Sequence, residues 1–295
     1  MRRLAAVALV AVACGAINAH AQTLSLSYAK GATSHYTLHM TSNLSTAMGI
    51  SSAPIKMDMT AKEAVTVNSV DSQGVADVSL TFSDVHMVMS MTSANSSTKI
   101  DQTESTFPTV DLKVAPDGRI LTVNGMNVSS EMALGFGGTS SFVVAVLPDN
   151  AVKPGDSWMK SYDQPSPFGN GSVHITANSK YLRNETFHGT QAAVVETTTT
   201  ANIDVSMTPT QQGARSTFPG TSIKGTWTTD TTSWIDPSAH RLLKTLMKGS
   251  SDITMTTSIQ PAAPVTSPDG FPTIPPGMTG PFMMKGSQTL DLEPA

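Results

Sequence analysis

The chain of 295 residues has one cysteine, few charges, few aromatics and no apolar run long enough to cross a bilayer. Each absence excludes something. With Cys14 alone, an intramolecular disulfide and a cysteine-based zinc site are ruled out. Charged residues make up 14% of the chain, against about 25% in ordinary soluble proteins, and no basic cluster occurs. Nucleic acid is therefore not an expected partner, because phosphate binding needs clustered Lys and Arg. The leading apolar run, Leu4 to Ala13, falls well short of the roughly 20 residues of a spanning helix, so the chain is not expected to be transmembrane. No Gly-x-Ser-x-Gly elbow is present, and Gly135 to Thr139 lacks the Lys of a phosphate loop. His35 and His39 are spaced as a metal pair on a helix would be, but their context reads as strand, where four residues span about 13 Å, too far for one ion. The chain is expected to be no enzyme and to need no cofactor.

What is present begins with a leader. Arg2 and Arg3 precede the apolar run, and Ala19-His20-Ala21 supplies the small residues that a signal peptidase reads, which predicts residues 1–21 as a signal peptide and Gln22 as the mature N-terminus. The protein is then exported, periplasmic or secreted, and losing both arginines takes its formal charge from −4 to −6. Ala11-Val12-Ala13-Cys14 allows the alternative of a lipoprotein anchored through Cys14.

Ser and Thr together number 74, and Thr and Val favour strands through their branched Cβ. The chain reads as mostly β, an antiparallel curved sheet or half-barrel built from two related halves with a short helical plug. Strand periodicity covers Thr33 to Thr41, Lys56 to Val70, Val75 to Thr92, Val110 to Val114 and Arg119 to Asn124, with turns at Asp71 to Gly74 and Ala115 to Gly118. A second series runs over Ser172 to Arg183, Ala192 to Met207, Ser222 to Asp236 and Arg241 to Ile259. Landmarks recur in order. Lys30-Gly31-Ala32 answers Pro154-Gly155-Asp156; Ala76, Val78 and Ser90-Met91 answer Ala192, Val194 and Ser206-Met207; Arg119 answers Arg241. The division expected is a first β half at 22–145, a second at 146–260, a Pro-rich loop at 261–281, and a closing strand and tail at 282–295. Ser129 and Ser130 can cap a short helix through Leu134, and the apolar run Phe142 to Leu147 is expected to pack across the sheet as a plug. The Ser/Thr-rich stretch before Phe107 reads as a loop.

Leu147-Pro148 followed by Val152-Lys153-Pro154-Gly155-Asp156-Ser157-Trp158, with Ala115-Pro116-Asp117-Gly118-Arg119 before it, resembles a family of uncharacterised exported bacterial β proteins. That resemblance implies no known function. Trp234-Ile235-Asp236-Pro237 followed by Arg241-Leu242-Leu243-Lys244 is similar to the hairpin of LolA-like lipoprotein carriers, and this likeness implies a curved half-barrel around an acyl-chain cavity.

Candidate binding residues centre on methionine, of which there are 17. Alternate residues of a strand share a face, so Met87, Met89 and Met91 form one stripe, and the neighbouring strand can set Met57 and Met59 beside it. Three readings stand. Flexible thioethers fill a core poor in aromatics; or, with Phe142, Trp158 and Trp234, they line a cavity for lipid or a lipoprotein acyl chain; or Met87, Met89 and Met91 with His86 hold Cu(I), which soft sulfur ligands select. Sulfurs roughly 7 Å apart along a strand converge poorly on one ion. A structural or adhesive module of the envelope is the remaining class.

Overall fold

The computed structural model describes residues 20–48, 51–93, 96–106, 108–125, 143–165, 169–207, 221–257 and 281–295. Their regular structure is all strand: β1 (Thr33–Met48), β2 (Ser51–Val70), β3 (Ala76–Ser93), β4 (Ser96–Thr106), β5 (Val110–Val114), β6 (Ile120–Val123), β7 (Ser157–Pro165), β8 (Gly169–Phe187), β9 (Thr190–Met207), β10 (Thr221–Asp236), β11 (Arg241–Thr257) and β12 (Pro281–Pro294). All pair antiparallel in one sheet of order β6-β5-β3-β2-β1-β12-β11-β10-β9-β8-β7, with β4 added beside β3. Among the described residues no backbone ladder joins β6 to β7, yet the two end strands meet through side chains. Gln164 Nε2 donates to Leu121 O at 3.4 Å, Lys160 Nζ reaches Asp117 at 2.7 Å, and the Arg119 guanidinium lies 5.0 Å from the centre of the Tyr162 ring. The sheet is therefore curled until its edges touch without closing. Its main buried cluster takes members from both halves, among them Leu38, Val78, Leu112, Ile175, Val195 and Ile253.

The two halves use one hydrogen-bond scheme. In the turn before β1, Gly31 N–H donates to Val67 O and Val67 N–H to Ala32 O; in the turn before β7, Gly155 N–H donates to Tyr181 O and Tyr181 N–H to Asp156 O. Both glycines have positive φ, 82° and 98°, a conformation that a Cβ disfavours. Register breaks also correspond: β2 shifts against β3 after Val67 and β8 against β9 after Tyr181, while β5–β6 and β10–β11 each slip one residue next to Arg119 and Arg241.

One sequence pairing changes. Val67 faces Val78 and Tyr181 faces Val195, so Ala76 and Val78 correspond to Ala193 and Val195, not to Ala192 and Val194. Those last two lie in a separate buried cluster with Trp234 and Leu243. The reason is an extra residue at Asp84, whose φ is 52°, where β3 bulges against β2 between Thr60 and Lys62. Beyond the bulge the sequence pairing of Met91 with Met207 holds, since Ile55 faces Met91 and Gly169 faces Met207.

The expected short helix and Phe142 lie outside the described residues, as does all but the last residue of the Pro-rich loop. Val143 to Leu147 is described, buried and without strand pairing, and it crosses the inner face as an extended strap. Hydroxyls of the sheet satisfy its backbone: Ala145 N–H donates to Ser233 Oγ at 2.9 Å, Val146 N–H to Thr197 Oγ1 at 3.0 Å, and Val146 O accepts from Ser179 Oγ and Trp158 Nε1, both at 2.9 Å. Unpaired backbone groups here would cost as much as lost hydrogen bonds. At the same end of the sheet the N-terminal segment carries Leu24 and Leu26 into the core, held by Leu26 N–H to Pro116 O and Ser27 N–H to His240 O.

The stretch expected as a Ser/Thr-rich loop is strand β4, paired with the far half of β3 from Ser83 to Ser93. Its polar, exposed composition suits an edge strand, and such a strand carries no apolar alternation to read. β7 was equally silent in the sequence, because its inward residues are Trp158, Lys160, Tyr162 and Gln164.

Candidate functional site

The hairpin sets the methionines opposite one another. Met59 faces Met87, Met57 faces Met89 and Ile55 faces Met91 across β2–β3, and Met40 of β1 faces Met59 from the other side. Adjacent strands lie about 4.8 Å apart, so these residues form a contiguous patch on the inner face. Burial grades along it. Met40 and Met59 are buried, Met57, Met87 and Met89 are half-buried, and Met91 is 45% exposed. Leu44, Ile55, Met255, Phe282 and Met284 are half-buried at the same end. That end is opposite the one filled by Leu24, Leu26 and the Val143 to Leu147 strap.

The other sequence candidates are placed elsewhere. His86 points to the outer face, where its Nε2 lies 3.0 Å from Asp101, so it is not beside the three methionine sulfurs. Trp158 faces inward but stands at the β7 edge, tied to the strap. Trp234 faces outward: with Ala192, Val194, Leu243, Leu182 and Phe187 it makes a small outer cluster. Its indole N–H donates to Glu185 and holds that carboxyl below its ordinary value, while the Lys244 ammonium lies 5.6 Å from the centre of the indole.

Sequence reasoning missed the ionic knot at the meeting edges. Asp117 and Lys160 are each 13% exposed, and Asp117 also binds Arg119 Nε at 2.7 Å. Burial pushes the Asp117 carboxyl up, but the Lys160 hydrogen bond and the two cations outweigh it, and the net shift is downward. The signal lay in the Pro-Asp-Gly-Arg turn, which reads first as turn chemistry. Nearby, burial and the Glu63 carboxylate push the Tyr36 phenol up to about 12, its hydroxyl donating to Leu242 O at 3.0 Å. Tyr28 is pushed up as well, chiefly by burial.

Two open clefts of about 440 and 400 Å³ flank Trp158. Their linings mix Lys180, Glu196, Asp149 and Lys160 with the indole and Met159, and neither reaches the methionine patch of β1 to β3. Among the described residues no three His, Cys, Asp or Glu side chains converge as a metal set, and no helix is long and apolar enough to cross a membrane.

No protein-family model and no curated protein matches the chain. A solved structure described as "Lipid-protein interactions in lipovitellin" is similar at 12% identity and a TM-score of 0.42, over 90% of this chain and 25% of that one. The chain thus spans a quarter of the lipovitellin chain, and at that score the likeness carries no functional argument.

Proposed function

We propose that this chain is an exported, non-enzymatic β protein that binds acyl chains at the methionine-lined end of its inner face. The observation that carries the reading is the burial gradient from Met59 through Met57 and Met89 to Met91. A closed core would bury all of them, whereas a surface that receives an apolar guest leaves flexible thioethers partly open to re-pack around it. The opposite end is already filled by Leu24, Leu26 and the Val143 to Leu147 strap, so the guest enters from the Met91 side.

A fluorescent fatty-acid probe tests this. Leu at positions 87, 89 and 91 keeps volume and apolarity, costs under about 1.5 kcal/mol per site, and is expected to leave probe uptake intact. Met57→Lys with Met89→Lys puts two cations on the patch and is expected to weaken uptake at least tenfold. Uptake unchanged in the lysine variant, or none in the wild type, sinks the proposal.

The Cu(I) reading gains one observation: Met40, Met59 and Met87 neighbour one another across strands, which avoids the long spacing along a single strand. Titration with competed Cu(I) of a variant carrying Leu at positions 40, 59 and 87 separates the two readings, because it removes all three of these sulfur donors and keeps an apolar surface. Loss of tight Cu(I) binding with no probe uptake in either protein favours the metal.

Export is proposed from the leader at residues 1–21. N-terminal sequencing of the protein recovered from its native envelope is expected to begin at Gln22, and a diacylglyceryl-modified Cys14 peptide would replace that with a lipoprotein.

A further inference from the structure

Trp227 Nε1, Ser251 Oγ and Gln288 Nε2 are buried on the inner face and have no hydrogen-bond partner among the described residues. Their residues are 2%, 7% and 7% exposed, and the large majority of buried side-chain polar atoms in folded proteins are paired. The three are neighbours. Trp227 faces Ser251 across β10–β11, and Ser251 is diagonal to Gln288, which stands opposite Gly249. A Cβ at Gly249 would meet Gln288 Cγ at 3.2 Å, so the glycine leaves the space that the Gln288 side chain fills. All three groups can donate a hydrogen bond: an indole N–H, a hydroxyl and an amide NH₂ stand at neighbouring positions of one face, and no described residue accepts from them.

The same transverse rows lead to the methionine patch. From Ser251 the partners run through Gly286, Leu44 and Ile55 to Met91, and from Gln288 through Ser42 and Met57 to Met89. Five strand spacings from Trp227 to Met91 amount to about 24 Å, comparable with the length of a long-chain acyl group. The row is closed and polar at the β10–β12 end and open and apolar at the β3 end.

We propose that Trp227, Ser251 and Gln288 bind the uncharged carbonyl of an ester- or amide-linked acyl chain whose tail lies over Leu44, Ile55, Met57, Met89 and Met91. This deepens the acyl-binding reading and rests on it. The absence of charge in the bound group follows from the surroundings. Among the described inward-facing residues of β1 to β3 and β9 to β12 the one charged side chain is Glu63, an acid. A free carboxylate would be buried there with no cation to offset its desolvation, whereas a neutral carbonyl accepts from the three donors at no such cost.

The test displaces a fluorescent acyl probe with methyl palmitate, palmitate and hexadecane, using the wild type and a Ser251→Ala, Gln288→Met double variant. The wild type is expected to prefer methyl palmitate to hexadecane by about tenfold or more. The double variant is expected to lose that preference while still binding hexadecane. Trp227→Phe, which removes only the indole N–H from the site, is expected to reduce the preference part of the way and guards against misfolding of the double variant. Equal affinity for ester and alkane in the wild type, or a preference that survives the double variant, overturns the carbonyl site and leaves acyl binding standing. Tighter binding of palmitate than of its methyl ester overturns the uncharged assignment. Failure of the probe to bind at all refutes the acyl-binding reading itself.

Discussion

A Thr197→Val, Ser233→Ala double variant is expected to lose about 2–6 kcal/mol of stability, from roughly 1–3 kcal/mol for each buried N–H left without an acceptor. Thr197 and Ser233 accept the amides of Val146 and Ala145. Each is also bonded to a second buried hydroxyl, Ser179 and Thr245 respectively, at 2.8 Å. Removing them strands two backbone donors and weakens two hydroxyl pairs at once. Because the strap fills the end of the inner face opposite the methionine patch, its release is expected to lower the cooperativity of unfolding as well as the midpoint. Urea denaturation followed by tryptophan fluorescence reports both, since Trp158 is bonded to the same strap. An unfolding free energy within a few tenths of a kcal/mol of wild type would mean that apolar packing of Val143 to Leu147 holds the strap without the hydroxyls.

Replacing Asp117 by Ala is expected to cost about 3 kcal/mol at neutral pH, the lower end for breaking a buried ion pair, because Lys160 keeps a second acid in Asp149. The substitution removes the carboxylate that holds Lys160 and Arg119 where β6 and β7 meet. The pH dependence gives a sharper signature. Lys160 and Arg119 hold the Asp117 carboxyl below its ordinary value of 3.8 in spite of its burial, so the folded state binds its proton less readily than the unfolded chain. The contribution is therefore present above that ordinary value and lost as pH falls through the depressed folded value. Stability curves of wild type and Asp117→Ala are expected to lie parallel from pH 5 to 7 and to converge below about pH 4. A gap that persists into acid would assign the loss to packing and not to charge.

Much of the site was legible before the fold because a strand has only two faces. Once Met87, Met89 and Met91 are read as alternating, they must share a face, and one hairpin turn at Asp71 to Gly74 suffices to bring β2 beside them. The donors of the deeper site were hidden by the same rule. Ser251 and Gln288 look like solvent-facing polar residues until their parity is matched with Ile253 and Leu290, which are buried on the same face. Trp234 misled for the opposite reason, since an aromatic in a strand is expected inward and here belongs to an outer cluster of its own.

The sequence by itself determined the β class, the hairpin turns, the recurring glycine turns before β1 and β7, and the shared face of the methionines. These follow from local backbone preference and from the period of two along a strand, which need no knowledge of distant partners. Only the tertiary structure decided that β4 is a strand, that the bulge at Asp84 shifts the correspondence of Ala76 by one residue, that the edges of the sheet meet through Asp117 and Lys160, and that hydroxyls on β8 to β11 hold an apolar strap. Each of those depends on what a neighbouring strand offers across about 5 Å, and a linear sequence does not state its neighbours.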